Sequence, residues 1–169
     1  EEAVAIALPA DLPHRAAVTR HCIALGVKNI RLLRKVVNII VLVTDTISPV
    51  HPQILEQAAQ TVVLLAWCYF ESDSKKPSIE FLRDWNNFAW GFKEARNEAS
   101  DIEKAWITIL NAYGLSHLDD FDWALFKVLE RGYIEETGLV EAAKALNTEC
   151  LANELRQSFS DAWDAFHNT

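Results

Sequence analysis

The chain has 169 residues, half of them hydrophobic, with only five glycines and five prolines. These totals favour a folded protein of one domain, or of two small ones, and argue against disorder. The net charge is −8, but residues 1–44 carry six basic and three acidic side chains, whereas the rest carries ten basic and twenty-one acidic ones. An acidic body repels phosphates, so the composition argues against nucleic-acid binding except through the basic N-terminal part.

The sequence shows no membrane span and no signal peptide. Its longest apolar run, residues 61–70, is well short of the roughly 20 residues that cross a bilayer, and the chain begins with acidic residues. Cys22, Cys68 and Cys150 are far apart, which predicts reduced and mostly buried thiols in a cytoplasmic protein. Methionine is absent even from position 1. Excision from a longer protein, processing, or selenomethionines missing from the sequence would each explain this, and we expect an excised domain.

Hydrophobic periodicity predicts an all-α protein, a multi-helix bundle of about seven to eight helices with no sheet. Runs of β-branched residues occur only inside longer helical patterns, and no Asn-Gly or Asp-Gly hairpin signal is present. The expected helices cover approximately residues 14–25, 29–45, 52–70, 78–90, 101–113, 120–132, 137–147 and 151–167. The expected caps and breaks are Asn29, Ser78, Gly26, Gly91, Gly114 and Gly132.

Two further expectations concern the core and the division of the chain. The residues expected to face inward from the helix at 29–45 are Ile30, Leu33, Val37, Ile40 and Val41. Those expected to face inward from the helix that ends at Gly132 are Phe121, Leu125, Val128 and Leu129. The polar loop at 71–78 is the expected boundary between an N-terminal helical subdomain, residues 1–71, and an acidic helical subdomain, residues 78–169.

The most informative local feature is a basic stripe on an otherwise apolar helix. Arg31, Arg34, Lys35 and Asn38 are three, four and seven residues apart, so they share one helix face. A cationic stripe at the start of such a helix suits an anionic partner. The candidates are a nucleotide phosphate and an acidic neighbouring domain, and the alternative is that the charges only face solvent.

Two segments resemble parts of a known family. Residues 28–35, Lys-Asn-Ile-Arg-Leu-Leu-Arg-Lys, resemble the Asn-Ile/Pro-Arg motif that opens the lid helix of AAA+/STAND-type ATPases. They are most similar to the version found in KAP-like P-loop NTPases, which include relatives in bacterial antiphage defence. Residues 121–135, which contain Glu130, Gly132 and Tyr133, are similar to an acidic helical Glu-x-Gly-Tyr segment of the same proteins.

This resemblance implies a non-catalytic lid and regulatory or assembly module of a larger ATPase, with residues 1–71 forming the lid-like part. The chain has neither the Gly-x-x-x-x-Gly-Lys-Ser/Thr loop nor a strand ending in paired carboxylates. We therefore expect no activity from this chain alone, and ATP and Mg²⁺ only in the presence of a nucleotide-binding core that it lacks. The implied partner is that core, in the same chain or in a neighbouring subunit.

The resemblance also implies a role for the basic stripe. Arg31 would be the lid arginine that reaches towards the γ-phosphate, since a guanidinium stays charged and its planar donors fit phosphate oxygens. Arg34 and Lys35 would add to the positive field or contact a neighbouring subunit. The alternative is that all three only solubilise one face of a buried helix, because most surface charges contribute little.

Two other groups of residues are candidates for sites. Trp85, Asn86, Asn87 and Trp90 form a candidate interaction surface, in one aromatic group with Phe88 and Phe92, because tryptophan is favoured at interfaces. The alternative is an aromatic core with two exposed asparagines. The histidine and carboxylates at 117–122 have the donors for a cation site, but they stand at a predicted helix N-terminus, where acidic residues complement the helix dipole without a metal. No metal site is predicted, and the competing function is a self-standing helical adaptor without nucleotide.

Overall fold

The computed structural model describes residues 2–71 and 75–167, and within them the protein is all-α, as the sequence predicts. The helices are α1 Glu2–Ala7, α2 Arg15–Ala24, α3 Ile30–Ile47, α4 Pro52–Phe70, α5 Ile79–Arg83, α6 Asn87–Ala95, α7 Asp101–Tyr113, α8 Asp120–Arg131 and α9 Glu136–His167. The described residues contain no strand, and their one β-type contact is an isolated bridge between Asn86 and His117. Residues 72–74, in the predicted boundary loop, lie outside the described residues, as do both chain ends.

Several helices begin and end where the sequence predicts, because the capping groups are in place. Asn29 Oδ1 accepts a hydrogen bond from the backbone N–H of Arg31 at 3.0 Å, and Ser78 Oγ accepts one from the N–H of Phe81 at 3.1 Å. These side chains satisfy N–H groups that have no partner inside the helix. Gly114 ends α7 with a φ angle of 78°, a conformation that glycine adopts without a steric penalty.

The helix break predicted at Gly91 is wrong, because Gly91 lies inside α6. The chain breaks earlier, between α5 and α6, where Asn86 caps α6 by accepting hydrogen bonds from the N–H groups of Phe88 and the residue after it, both at 3.1 Å. The N–H of Asn87 donates to the carbonyl of Ser116 at 2.9 Å. This link to another loop holds the backbone extended just before α6 begins.

The two helices predicted at 137–147 and 151–167 are in fact one continuous helix, α9. Residues 148–150, Thr-Glu-Cys, include neither glycine nor proline, so nothing in the backbone chemistry ends the helix there. What changes at this point is the environment. Before it, Leu139 and Ala143 are buried in the core, and beyond it the side chains of α9 are almost all exposed.

The face that α3 turns towards the core differs from the predicted one. Leu33 and Ile40 are buried as expected, but Ile30 and Val41 are 48% and 36% exposed, and Val37 is only partly buried. The buried positions are Leu32, Leu33, Val36, Ile39, Ile40, Val43 and Ile47. Because α3 is apolar around most of its circumference, two adjacent faces of the helix each carry apolar residues three and four positions apart. Packing against α4 and α1 determines which of the two faces is buried.

Helix α4 lies at the centre of the core, in contact with α2, α3, α5, α8 and α9. Its residues 61–68 are all buried, as expected of a helix that is apolar on every side. The inward face predicted for α8 is confirmed, since Phe121, Leu125, Val128 and Leu129 are buried. Helix α4 therefore packs on helices from both sides of the loop at 71–78, and the division of the chain at that loop stays a prediction.

The described helices include none that is long and apolar enough to cross a membrane. Cys22 and Cys68 are buried and Cys150 is partly buried, and all three are free thiols. Burial raises the pKa of Cys22 and of Cys68 to about 12, so both stay protonated near neutral pH.

Candidate functional site

The basic stripe forms an exposed surface along the first half of α3. Arg31, Arg34, Lys35 and Asn38 are all exposed, and we call these four residues the basic surface. They point away from the core because the buried Leu33 lies on the opposite side of the helix. The cap at Asn29 and the packing of α3 on α4 fix the helix, so the direction of the basic surface is fixed as well.

No carboxylate of the described residues neutralises the two arginines of the basic surface. Neither Arg31 nor Arg34 forms an ion pair or a side-chain hydrogen bond within the part of the chain that the structure describes. The sequence also has no acidic residue between Asp11 and Asp45. The exposed side of α3 is therefore a region of positive potential on a protein whose net charge is −8.

A small groove borders the basic surface where α3 meets the C-terminal ends of α4 and α8. It has a volume of about 190 Å³ and is lined by Lys35, Asn38, Ile39, Phe70, Leu129 and Gly132. Lys35 Nζ lies 3.6 Å from the centre of the Phe70 ring, a cation–π contact worth about 0.5–1 kcal/mol at an exposed site. The groove thus brings together Lys35 and Gly132, which belong to the two segments of the resemblance.

The second of these segments forms α8 and the turn that follows it. Gly132 ends α8 with a φ angle of 76°, and Tyr133 after it is exposed. Arg131 pairs with Glu135 across this turn. A neighbouring cavity of about 340 Å³ between α8 and α9 has a mixed lining of Asp120, Trp123, Lys127, Arg131, Tyr133, Glu135 and Leu139, among others. Its charges are of both signs, so it does not extend the positive region of α3.

The carboxylates considered as cation ligands serve the backbone at the start of α8. Asp119 Oδ1 accepts a hydrogen bond from the N–H of Asp122, and Asp122 Oδ2 accepts one from the N–H of Asp119, both at 3.0 Å. This reciprocal arrangement is a capping box. Within the described part of the chain, no group of three or more histidine, cysteine or acidic side chains is arranged to hold a metal ion.

Asp122 also belongs to a buried polar cluster that the sequence did not reveal. It is 3% exposed, and its Oδ1 accepts hydrogen bonds from Thr61 Oγ1 at 2.5 Å and from Gln57 Nε2 at 3.1 Å. Burial raises the pKa of Asp122 to about 6, against the opposing effect of the hydrogen bond from Thr61. The capping pattern was visible in the sequence, but the contact between α4 and α8 was not. Both carboxylate oxygens of Asp122 therefore accept hydrogen bonds, and those from Thr61 and Gln57 join α4 to α8.

A second buried titratable group lies where α2 meets α4. His21 Nε2 is 3.2 Å from Glu56 Oε1, and the imidazole contacts the Tyr113 ring edge-on with 5.3 Å between the ring centres. Burial, together with the nearby Arg20, lowers the pKa of His21 from 6.5 to about 4. The imidazole is therefore neutral near pH 7, and Arg20 supplies the cation that pairs with Glu56.

The tryptophans of the predicted interaction surface lie in the core. Trp85 and Trp90 are buried, and each indole N–H donates a hydrogen bond to a carbonyl, that of Leu115 for Trp85 and that of Asp84 for Trp90, both at 3.0 Å. They pack around Phe81, at ring-centre distances of 5.9 and 4.5 Å. The structure thus agrees with the alternative interpretation of these two residues as parts of an aromatic core.

The exposed part of the same region consists of the two asparagines and the two phenylalanines of the aromatic group. Asn86 and Asn87 are exposed, as that alternative required. The aromatic side chains on the surface are Phe88 and Phe92, one turn apart on α6, with their rings edge-to-face and 4.8 Å between centres. The sequence placed these phenylalanines and the two tryptophans in one group, but it did not show which of the four side chains are exposed.

The fold and this surface define an all-α domain that carries an exposed basic helix face on an acidic body. Comparison of the chain with models of protein families, with curated proteins and with solved structures found no match.

Proposed function

We propose that this chain is the helical lid and regulatory module of a larger P-loop ATPase of KAP-like type, as found in antiphage defence. The observation that carries the proposal is the exposed basic surface of α3, in which no described carboxylate neutralises Arg31 or Arg34. It begins with the Lys-Asn-Ile-Arg segment that resembles the lid motif.

In this proposal Arg31 approaches the γ-phosphate of a nucleotide held by the core, and Arg34 contributes to the positive field. Arg31 stands in the first turn of α3, close to the backbone N–H groups that Asn29 caps. The positive end of the helix dipole adds to the charge of the side chain there. Movement of α3 would pass directly to α4, since the two helices pack along the core.

Lys35 has a different part in the proposal. Its ammonium group is held over Phe70 at the end of α4, so it is less able to reach a distant phosphate than the two arginines. We propose that Lys35 and the groove beside it couple the lid helix to the end of α8, through Leu129 and Gly132. A change at the nucleotide would then reach the acidic C-terminal helices.

The first test is the mass of the natural polypeptide, detected in its host with an antibody against this region. We expect a product several times larger than the 19.1 kDa of this chain if the proposed nucleotide-binding core belongs to the same polypeptide, or a product near that mass that copurifies with an ATPase if the core belongs to another subunit. A product near 19.1 kDa that copurifies with no ATPase would defeat the proposal.

The second test is ATP turnover by the intact protein with Arg31→Ala. We expect turnover to fall by about 10²-fold or more, the usual effect of losing one group that stabilises transition-state charge. Arg96→Ala is the matched control, because Arg96 is exposed at the end of α6 and away from α3, and it should leave turnover unchanged. Wild-type turnover in a folded Arg31→Ala protein would sink the assignment of Arg31.

A self-standing helical adaptor is the second candidate, and the exposed pair Phe88 and Phe92 favours it. Two phenylalanines one turn apart on a peripheral helix give an apolar contact area that a partner protein can cover. If the adaptor function is correct, Phe88→Ala together with Phe92→Ala should abolish partner capture, while Arg31→Ala should not affect it. If Arg31→Ala abolished partner capture and the double phenylalanine variant did not, the lid would be the only remaining candidate.

A further inference from the structure

The C-terminal half of α9 carries a continuous row of exposed apolar side chains. Its members are Leu151, Leu155, Phe159, Trp163 and Phe166, and we call them the α9 stripe. Leu155 and Phe159 are 72% and 70% exposed, and the rings of Phe159 and Trp163 stack with 6.3 Å between centres. The spacings of three and four residues place all five on one side of the helix.

The α9 stripe lies on the side of the helix that faces away from the protein's own core. In the first half of α9, Leu139, Ala143, Leu146 and Cys150 pack on the core. A helix turns by about 100° per residue, so Leu155, nine residues after Leu146, lies on the opposite side. The apolar face therefore changes side near residue 150, and a continuous α9 cannot cover the stripe with the core on which its first half packs.

The charges of this segment are arranged around the stripe without interrupting it. Glu154 and Asp161 both lie about 100° or more around the helix from Leu155, by the same geometry. Arg156 is at one edge of the stripe. In a chain of net charge −8, an apolar face with no carboxylate on it can meet a second copy of itself without direct repulsion.

We propose that two copies of the chain associate through their α9 stripes, with the helices antiparallel about a two-fold axis near Gln157. This register places Leu155 opposite Phe159 of the partner subunit. It also places Ala152 opposite Ala162 of the partner subunit, while Leu151 and Trp163 flank these layers, so apolar side chains meet across the interface. Each contact occurs twice, as required in a symmetric dimer.

The same register keeps the acidic side chains apart. Glu154 lies level with Ser160 of the partner subunit, and Asp161 level with Asn153 of the partner subunit. All four side chains lie about 100° or more around the helix from Leu155, outside the interface. No carboxylate of this segment, as the structure describes it, faces another. The heptad-like succession of Ala152, Leu155, Phe159, Ala162 and Phe166, spaced three and four residues apart, is the spacing of paired helices.

Sedimentation equilibrium of the purified chain tests the association. We expect a mass of twice 19.1 kDa for the wild type and of one chain for Phe159→Glu, because a carboxylate would be buried in the interface. Ser160→Glu adds the same charge at the adjacent, outward position and should stay dimeric. Circular dichroism of each variant checks that helix content is unchanged.

Three results would overturn the proposal. The first is a monomeric wild-type chain at every soluble concentration. The second is a wild type that stays monomeric and binds vesicles of mixed neutral and anionic lipid, with binding lost in Phe159→Glu, which would assign the stripe to a membrane surface. The third is a monomer that Phe159→Glu destabilises towards urea and Ser160→Glu does not, which would show that the stripe packs on its own chain.

The orientation is tested by disulfide formation in a Cys150→Ser background, which removes the one partly exposed thiol. In the antiparallel register, Ala152→Cys should form a mixed disulfide with Ala162→Cys when the two variants are combined. Ala152→Cys alone should not crosslink to itself, because the two positions are ten residues, about 15 Å, apart along the axis. Self-crosslinking of Ala152→Cys would contradict the antiparallel arrangement.

Discussion

Two buried titratable residues give this protein opposite responses to pH. The pKa of His21 is lowered to about 4 in the folded state, so the unfolded chain binds its proton more readily. Its contribution to stability is present above about pH 6.5 and is lost as the pH falls towards 4. The pKa of Asp122 is raised to about 6, so its contribution is present at low pH and is lost as the pH rises through 6. Between pH 4 and 6 the two effects partly cancel.

Replacing His21 should therefore change the pH profile of stability in a defined direction. We expect the free energy of unfolding of His21→Gln to fall less than that of the wild type on going from about pH 6.5 to about pH 4. The difference should reach at most about 3 kcal/mol, since a pKa change of one corresponds to about 1.4 kcal/mol. Urea unfolding of both proteins at the two pH values measures it.

The control for this measurement is His117→Gln. His117 is exposed, next to Ser116, so its replacement should leave the difference between the two pH values as in the wild type. Identical pH profiles for His21→Gln and the wild type would show that His21 titrates alike in the folded and unfolded chain, contrary to its burial.

At the scale of the helices, the sequence correctly predicted those helix ends that depend on a capping residue a few positions away. Asn29 and Ser78 reach N–H groups two or three positions ahead, and Gly114 supplies a left-handed conformation at the end of α7. The helix break predicted at Gly91 was wrong because a glycine inside a helix costs only about 1 kcal/mol, which the packing of Trp90 in the core can offset. The sequence predicted two helices in place of α9 because the apolar residues lie on one side of the helix before residue 150 and on the opposite side after it.

The rotation of α3 about its axis can be tested by a pair of substitutions. Leu33→Ala should lower the free energy of unfolding by about 2–5 kcal/mol, as expected when a fully buried leucine is shortened. Ile30→Ala, three residues away on the same helix, should change it by about 0.5 kcal/mol or less, because Ile30 is half exposed and surface changes have small effects. Chemical denaturation of the two variants gives both values. Equal losses would mean that α3 buries the face first predicted from its spacing.

For the molecule as a whole, the candidate site could be predicted only as far as it lies on one helix. The basic surface follows from residues 31–38 and helical spacing. The groove beside Lys35 depends on Phe70 and Gly132, which reach it from the ends of two other helices. The cluster at Asp122 likewise depends on Thr61, sixty-one positions earlier. Contacts over such separations follow from the packing of the helices, and local patterns do not specify them.

The same packing predicts how the protein unfolds. Helix α4, on one side of the loop at 71–78, is buried against α8 and α9 on the other side, so neither part keeps its core when the other unfolds. We expect one thermal transition, with equal calorimetric and van't Hoff enthalpies. Leu64→Ala in α4 and Leu125→Ala in α8, both fully buried, should each lower that same Tm, by about 2–4 °C per kcal/mol lost.

Differential scanning calorimetry of the three proteins distinguishes this from two separately folded subdomains. If residues 1–71 and 78–169 unfolded independently, the wild type would show two transitions, and each substitution would move only one of them. A shared transition would instead show that α4, α8 and α9 belong to one cooperative unit. Such a unit is what the proposed regulatory lid requires, because a signal from α3 would have to pass through α4 to the C-terminal helices.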